Sequence, residues 1–305
     1  MVPGTPAFVD ECKALGQACA QARMRLDERG PGPYQAGFRS YDGPKKFPSY
    51  FARKCLSLRL SAVKRGMLVD PTVTPEFLEL ITNGRCPVTL EELDIQGKSP
   101  QNPSVDRLVN EVTYLAGNIC VLSMRANRAK GEKTFEEVAA LAQAGEPSGG
   151  LEPLEWMRLA SLMYGAWARA IKQGDPHLLP LAAIPGRGMF MSTSQVVQLL
   201  LTRFCQAGAG QTEALARWLE LTQEGGGHVS QFQELQAALY EALAEEDYPG
   251  DAWLHAEVFN AFVGWFNACH RAVIPFIERL LHEQQERRAD PVARLLWPTT
   301  GRYHH

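Results

Sequence analysis

The chain has 305 residues, of which 45% are hydrophobic, and a formal net charge of −3. This is a globular composition, with length for two or three domains. No apolar run approaches the roughly 18 residues of a membrane span, and the N-terminus lacks the basic patch and apolar stretch of a secretory signal.

In chain order, Thr5-Pro6 reads as a cap followed by a first turn, and an Ala-rich helical pattern runs over 6–28. Gly30-Pro31-Gly32-Pro33 breaks that pattern, and residues 34–50 are expected to be irregular and basic. Residues 39–65 carry Arg39, Lys45, Lys46, Arg53, Lys54, Arg59, Lys64 and Arg65 against Asp42 alone. Phe38, Tyr41, Phe47, Tyr50 and Phe51 are interleaved with them. Cations mixed with rings suit phosphates and stacked bases, and also suit a solvated helix face. A helix is predicted over 50–66, with Gly66 as its stop, and a second starts at Thr74-Pro75-Glu76 and ends near Asn83-Gly84.

The densest polar pattern lies in residues 104–131. Ser104-Val105-Asp106-Arg107-Leu108 fits the end of a half-buried strand. Tyr114 to Asn118 forms a turn, because Gly117 and Asn118 tolerate left-handed angles. Ile119 to Leu122 is a second apolar strand, and Ser123 caps a helix over 124–130. A strand end facing a helix start brings Asp106 and Asn127 together, and a carboxylate with an amide oxygen is a hard-oxygen pair. Another helix follows over 134–144, and Gly145-Glu146-Pro147-Ser148-Gly149-Gly150 is the clearest linker.

Beyond the linker nearly everything is helical in pattern, with candidates at 152–173, 192–207, 211–224, 230–245, 251–271 and 274–288. Trp156, Trp167, Trp218, Trp253 and Trp265 are expected to anchor this helical core. Acidic residues outnumber basic ones here, so this half suits a protein partner or a second copy of the chain better than DNA.

Other constellations carry less. The seven cysteines are scattered with no C-x-x-C pair, which excludes a four-cysteine zinc site and fits a reducing cytoplasm. His255-Ala256-Glu257 lacks the Pro-Cys-x-x-Cys that zinc deaminase chemistry needs. Cys269-His270 has no orienting partner, and Ser192-Thr193-Ser194 reads as a helix cap. Gly186-Arg187-Gly188 is a weak phosphate loop because no strand precedes it. His304-His305 is an adventitious metal binder or a tag.

The set Ser104-Val105-Asp106-Arg107, Tyr114, Gly117-Asn118, Ile119–Leu122 and Arg125-Ala126-Asn127-Arg128-Ala129-Lys130 resembles the HNH, or His-Me finger, nucleases. The likeness is to the divergent form of phages and mobile elements. It extends upstream to Ala62–Met67, Thr74–Leu78 and an entry strand at Gly84–Thr89, and downstream to Thr134–Val138, covering residues 57–145. It implies a mainly α chain with a small ββα-metal hairpin module. The expected parts are an N-terminal helical and basic region over 1–56, the module over 57–146 and an α-helical domain over 151–305. It further implies one Mg2+ or Mn2+ ion on Asp106 and Asn127, without structural zinc. Arg107 and Asn118 fall at catalytic positions, Asn118 as the residue that pins the hairpin loop. Arg125, Arg128 and Lys130 become phosphate contacts beside Lys45, Lys46, Arg53, Lys54, Arg59, Lys64 and Arg65.

The chain departs from the pattern at the general base. Arg107 replaces the usual His, and a guanidinium does not give up its proton in proteins. Loss of the base removes about 10²–10⁴-fold in rate. The resemblance therefore implies a metal-dependent DNA endonuclease or nickase of a phage, mobile element or defence system. The alternative is an inactive descendant that binds DNA or serves in assembly.

Overall fold

The computed structural model describes residues 4–95, 99–171, 177–186, 188–207 and 211–282. The described residues are mainly helical, with eleven α-helices, one 3-10 turn and one two-stranded antiparallel sheet. None of these helices is long and apolar enough to cross a membrane. Two compact units are present. The first takes Met1–Thr134, Gly149–Leu151 and Gly186–Phe190, and the second takes Phe135–Ser148, Glu152–Pro185 and Met191–His305.

In the first unit, Thr5 caps α1 (Pro6–Gln21) by accepting from the Phe8 amide. The helix is shorter than its Ala-rich pattern predicts. Arg23 turns to φ +54, and the Met24 amide bonds back to the Cys19 carbonyl, closing the last turn. The segment expected to be irregular over 34–50 is so only over residues 40–49. Gly32 and Pro33 instead open α2 (Gly32–Arg39), because a proline in the first turn forfeits no helical hydrogen bond. Gly16 on α1 lies against the α2 backbone and Gly37 on α2 against the α1 backbone, leaving no space for a Cβ at either. Ser49 caps α3 (Tyr50–Val63) and Thr74 caps α4 (Pro75–Ile81). The core here gathers Phe8, Cys12, Leu15, Cys19, Tyr34, Leu60 and Val63.

The predicted entry strand at Gly84–Thr89 is not a strand. It is a tight turn held by a single antiparallel bridge, Arg85 to Glu92, with Leu90 at φ +55. The two real strands are β1 (Pro103–Arg107) and β2 (Ile119–Ser123), in register Asp106 with Cys120 and Ser104 with Leu122. Ser123 then caps α5 (Met124–Lys130) by accepting from the Ala126 amide at 3.2 Å.

The second unit holds α6 (Phe135–Ala144), α7 (Pro153–Ile171), α8 (Thr193–Gln206), α9 (Gln211–Glu224), α10 (Val229–Glu245) and α11 (Ala256–His282). The 3-10 turn Asp251–Leu254 precedes α11. Ser192 and Gln195 form a reciprocal capping box on α8. The two helices predicted around Pro275 are one. The buried residues Val258, Phe262, Trp265, Phe266, Cys269, Val273, Phe276, Ile277 and Leu280 keep the helical period through the proline. Their burial outweighs the roughly 3 kcal/mol cost of an interior proline.

Trp156, Trp218, Trp253 and Trp265 are wholly buried, whereas Trp167 is only partly so and donates to Glu136 at 2.8 Å. Trp265 donates to Thr222 Oγ1 at 3.1 Å, and Trp253 to Thr202 Oγ1 at 2.8 Å. Arg158 makes a forked bond to both Asp251 oxygens, at 2.8 and 2.6 Å. Because Trp265 lies edge-on to Trp218 with centroids 5.9 Å apart, its removal opens a cavity that rigid neighbours cannot fill. Trp265→Ala should destabilise this unit by about 3–5 kcal/mol, read as a lowered urea midpoint with unchanged slope. A loss under about 1 kcal/mol would show that this core collapses around the gap.

Candidate functional site

The strand pleat places Ser104 and Asp106 on one face of β1, while Val105 and Arg107 point to the other. On α5, Asn127 and Lys130 are three residues apart and share a face. Strand and helix therefore meet through two polar rungs. Asn127 Nδ2 donates to Ser104 Oγ at 2.6 Å, and Lys130 Nζ lies 3.1 Å from Asp106 Oδ2. Lys130 Nζ also donates to Asn110 Oδ1 at 3.2 Å. Asp106 Oδ2 otherwise lacks a hydrogen-bond partner, so the Lys130 approach is a charge contact rather than an aligned hydrogen bond.

The Lys130 side chain is wholly buried and that of Asp106 is 13% exposed. Burial raises the Asp106 pKa above the ordinary carboxylate value, and the Lys130 charge opposes the shift. Lys130 is thus not a phosphate contact in this conformation. It is the resident counter-ion of the carboxylate that the resemblance gives to a metal.

Asn118 is 1% exposed and spends its amide on the backbone. Its Oδ1 accepts from the Val109 amide at 2.9 Å, and its Nδ2 donates to the carbonyls of Val109, Val112 and Thr113 at 3.0, 3.2 and 3.1 Å. This pins the loop between the strands and leaves no group for a substrate. Gly117 beside it has φ +100, with the Phe190 ring packed where a Cβ would sit.

Arg107 is also engaged internally. Its guanidinium donates to the Asn110 carbonyl at 2.5 Å and lies 5.0 Å from the centre of the Tyr114 ring. Arg65 covers the same ring at 5.6 Å and donates to the Tyr114 hydroxyl at 2.6 Å. The buried tyrosine is therefore bracketed by two cations, and neither can act as a base.

The remaining expected nucleic-acid cations divide by environment. Lys54 donates to the Pro103 carbonyl at 2.5 Å, and burial lowers its pKa. Lys64 pairs with Asp27 at 2.7 Å, and Arg59 reaches the Val73 carbonyl at 3.5 Å. Arg125 donates to the Gly150 carbonyl at 2.9 Å and faces Glu91 at 3.5 Å. These side chains are held by the fold. Lys45, Lys46, Arg53 and Arg128 are exposed. Phe47, 77% exposed, and Tyr50, 41% exposed, stand among the first three.

Sequence reasoning missed Arg23, whose guanidinium stacks 4.1 Å above the Phe47 ring. The predicted first helix absorbed it, and only its positive φ turns it toward the basic segment. Asn110, the third partner of the buried pair, was also missed. Nothing in the sequence marks it, because its side chain's partners Lys130 and Lys133 lie 20 and 23 residues away.

A single hard divalent ion does not fit this arrangement. Asp106 is the carboxylate of the pair, and an ammonium already stands 3.1 Å from it, which would repel a second cation. Among the described residues no group of three or more His, Cys, Asp and Glu is placed to hold a metal.

The weaker motifs resolve structurally. His255 pairs with Glu246 at 2.7 Å, and Cys269 donates to the Trp265 carbonyl at 2.8 Å with its thiol pushed up to about 12 by burial. His270 contacts the Asn267 carbonyl at 2.7 Å. Arg187 and His304-His305 lie outside the described residues. No protein-family model, curated protein or solved structure matches the chain.

Lys130→Met leaves Asp106 buried without its counter-charge and should cost about 3–5 kcal/mol. Lys130→Met combined with Asp106→Asn should recover much of that loss. Urea denaturation of both single variants and the double variant measures the coupling. Simply additive losses would show that the two charges do not compensate each other.

Proposed function

We propose that the first unit is a nucleic-acid-binding module of HNH descent that does not cleave its ligand. The supporting observation is the buried Asp106–Lys130 pair. In a metal nuclease that carboxylate is the ion's anionic anchor, and here an ammonium holds the place. Arg107, at the general-base position, is tied to Asn110 and Tyr114. Ligand binding then falls to the exposed Lys45, Lys46 and Arg53, with Phe47 and Tyr50 as stacking rings. We assign the helical second unit an assembly role, with a protein partner or a second copy. Its support is the excess of acid over base in the chain beyond the linker.

The rival reading is an active magnesium- or manganese-dependent nuclease. Plasmid nicking separates the two. The wild type and Arg107→His should both leave supercoiled DNA intact with manganese, because Lys130 still occupies the carboxylate. Manganese-dependent nicking by the wild type that Asp106→Ala abolishes would overturn the non-cleaving assignment.

Binding should weaken with salt, and the slope of log affinity should fall by about 0.9 for each duplex phosphate the protein ceases to neutralise. Replacing Lys45, Lys46 and Arg53 by Ala should therefore flatten the salt dependence and weaken binding. Replacing Lys64, held by Asp27, should change the slope little. Equal effects from both sets would show that exposure does not select the contacting cations.

A further inference from the structure

Beside the exposed basic segment the first unit has a half-open groove of about 950 Å3. One face of α1, carrying Ala14 and Ala18, forms one wall. One face of α3, with Ala52, Leu56 and Arg59, forms the other, and the loop Gly66–Pro71 forms the floor. A groove of this size with apolar walls and a few polar groups is typical of sites for small organic groups. Lys46 and Pro48 line it and also belong to the exposed segment, so groove and cationic surface are continuous.

Its polar groups restrict the ligand. Arg59 Nε is buried without a hydrogen-bond partner, and the same guanidinium makes only a 3.5 Å contact to the Val73 carbonyl. A buried donor left unpaired costs about 1–3 kcal/mol, which a ligand acceptor would offset. The groove is nevertheless not a phosphate site. Two cations, Lys46 and Arg59, are set against three carboxylates, Glu11, Asp70 and Glu111. A bare dianion meets a net negative lining there. For a neutral planar ring with acceptors and donors on its edge, the lining offers the Arg59 donor, three carboxylates as acceptors, and alanine and leucine side chains for its faces.

We propose that this groove receives one unstacked nucleobase of a single strand whose phosphates lie along Lys45, Lys46 and Arg53. The inference rests on the nucleic-acid-binding reading above and adds the form of the ligand. Phe47 and Tyr50, exposed outside the groove, are placed to stack neighbouring bases. The module then prefers single-stranded to duplex nucleic acid, because a paired base cannot enter.

Fluorescence anisotropy on the full chain tests this with a labelled single strand, the same strand carrying abasic sites, the duplex, and a nucleoside monophosphate as competitor. Single strand should bind more tightly than duplex, and abasic substitution should weaken it about tenfold. Ala18→Phe fills the groove without removing a cation, and should lower single-strand affinity to the abasic level while leaving duplex affinity unchanged. Arg59→Met keeps the apolar stem and should shift single-strand binding in the same direction, so the test does not depend on one variant folding.

If both variants and abasic substitution are silent while Lys45→Ala with Lys46→Ala still weakens binding, the groove proposal fails and the surface reading stands. Binding to none of these nucleic acids would overturn both. A monophosphate competing as strongly as the strand would overturn the strand assignment and identify the groove with a free nucleotide.

Discussion

The contact between Asp106 and Lys130 is the constraint on which the hairpin and its helix depend. Two opposite charges are withdrawn from water at the junction of a two-stranded sheet and a seven-residue helix. Neither element is stable alone, because a lone hairpin and a two-turn helix are both marginal in water. The Ser104–Asn127 bond and the charge contact to Lys130 therefore fix the helix on one face of the strand. A buried pair of this kind adds little net stability over apolar residues. It does make other registers costly, since a one-residue slip would turn Asp106 to the opposite face. The charge arrangement that specifies the local fold thus also gives Asp106 a resident counter-ion.

Backbone satisfaction extends the same logic along the loop. The segment between the strands is buried enough to need partners for its amides and carbonyls, and Asn118 supplies four of them. Arg107 caps the Asn110 carbonyl and shares Tyr114 with Arg65. Residues with a catalytic appearance in the sequence thus become structural once their partners are counted. Of the cations expected to meet a polyanion, those left exposed are Lys45, Lys46 and Arg53 of the basic segment and Arg128 on α5.

The second unit is governed by apolar burial instead. Indole rings from α9 and α11 meet edge to face, the Trp253 ring joins them through Phe262, and Trp253 and Trp265 reach threonine hydroxyls of α8 and α9. The continuous apolar stripe of α11 carries the helix through Pro275. A stripe that long is worth more than one lost hydrogen bond, so packing overrules the local breaker.

Local chemistry was legible in the sequence because it depends on near neighbours. Capping at Thr5, Ser123 and Ser192, the helix start at Thr74-Pro75, the strand beginning at Ile119 and the bounds of α5 and α9 all follow from residues within one turn. The mainly helical class, the small hairpin and the facing of Asp106's strand by Asn127's helix were legible for the same reason. The run of cations was equally plain as composition. Tertiary structure decided what those groups do. Whether Lys130 meets phosphate or Asp106, and whether Lys64 is free or paired with Asp27, depends on residues distant in the chain. The helix through Pro275 was set by packing that outweighs propensity. A side chain's charge is written in its own letter, but its partner, its burial and hence its chemistry belong to the fold.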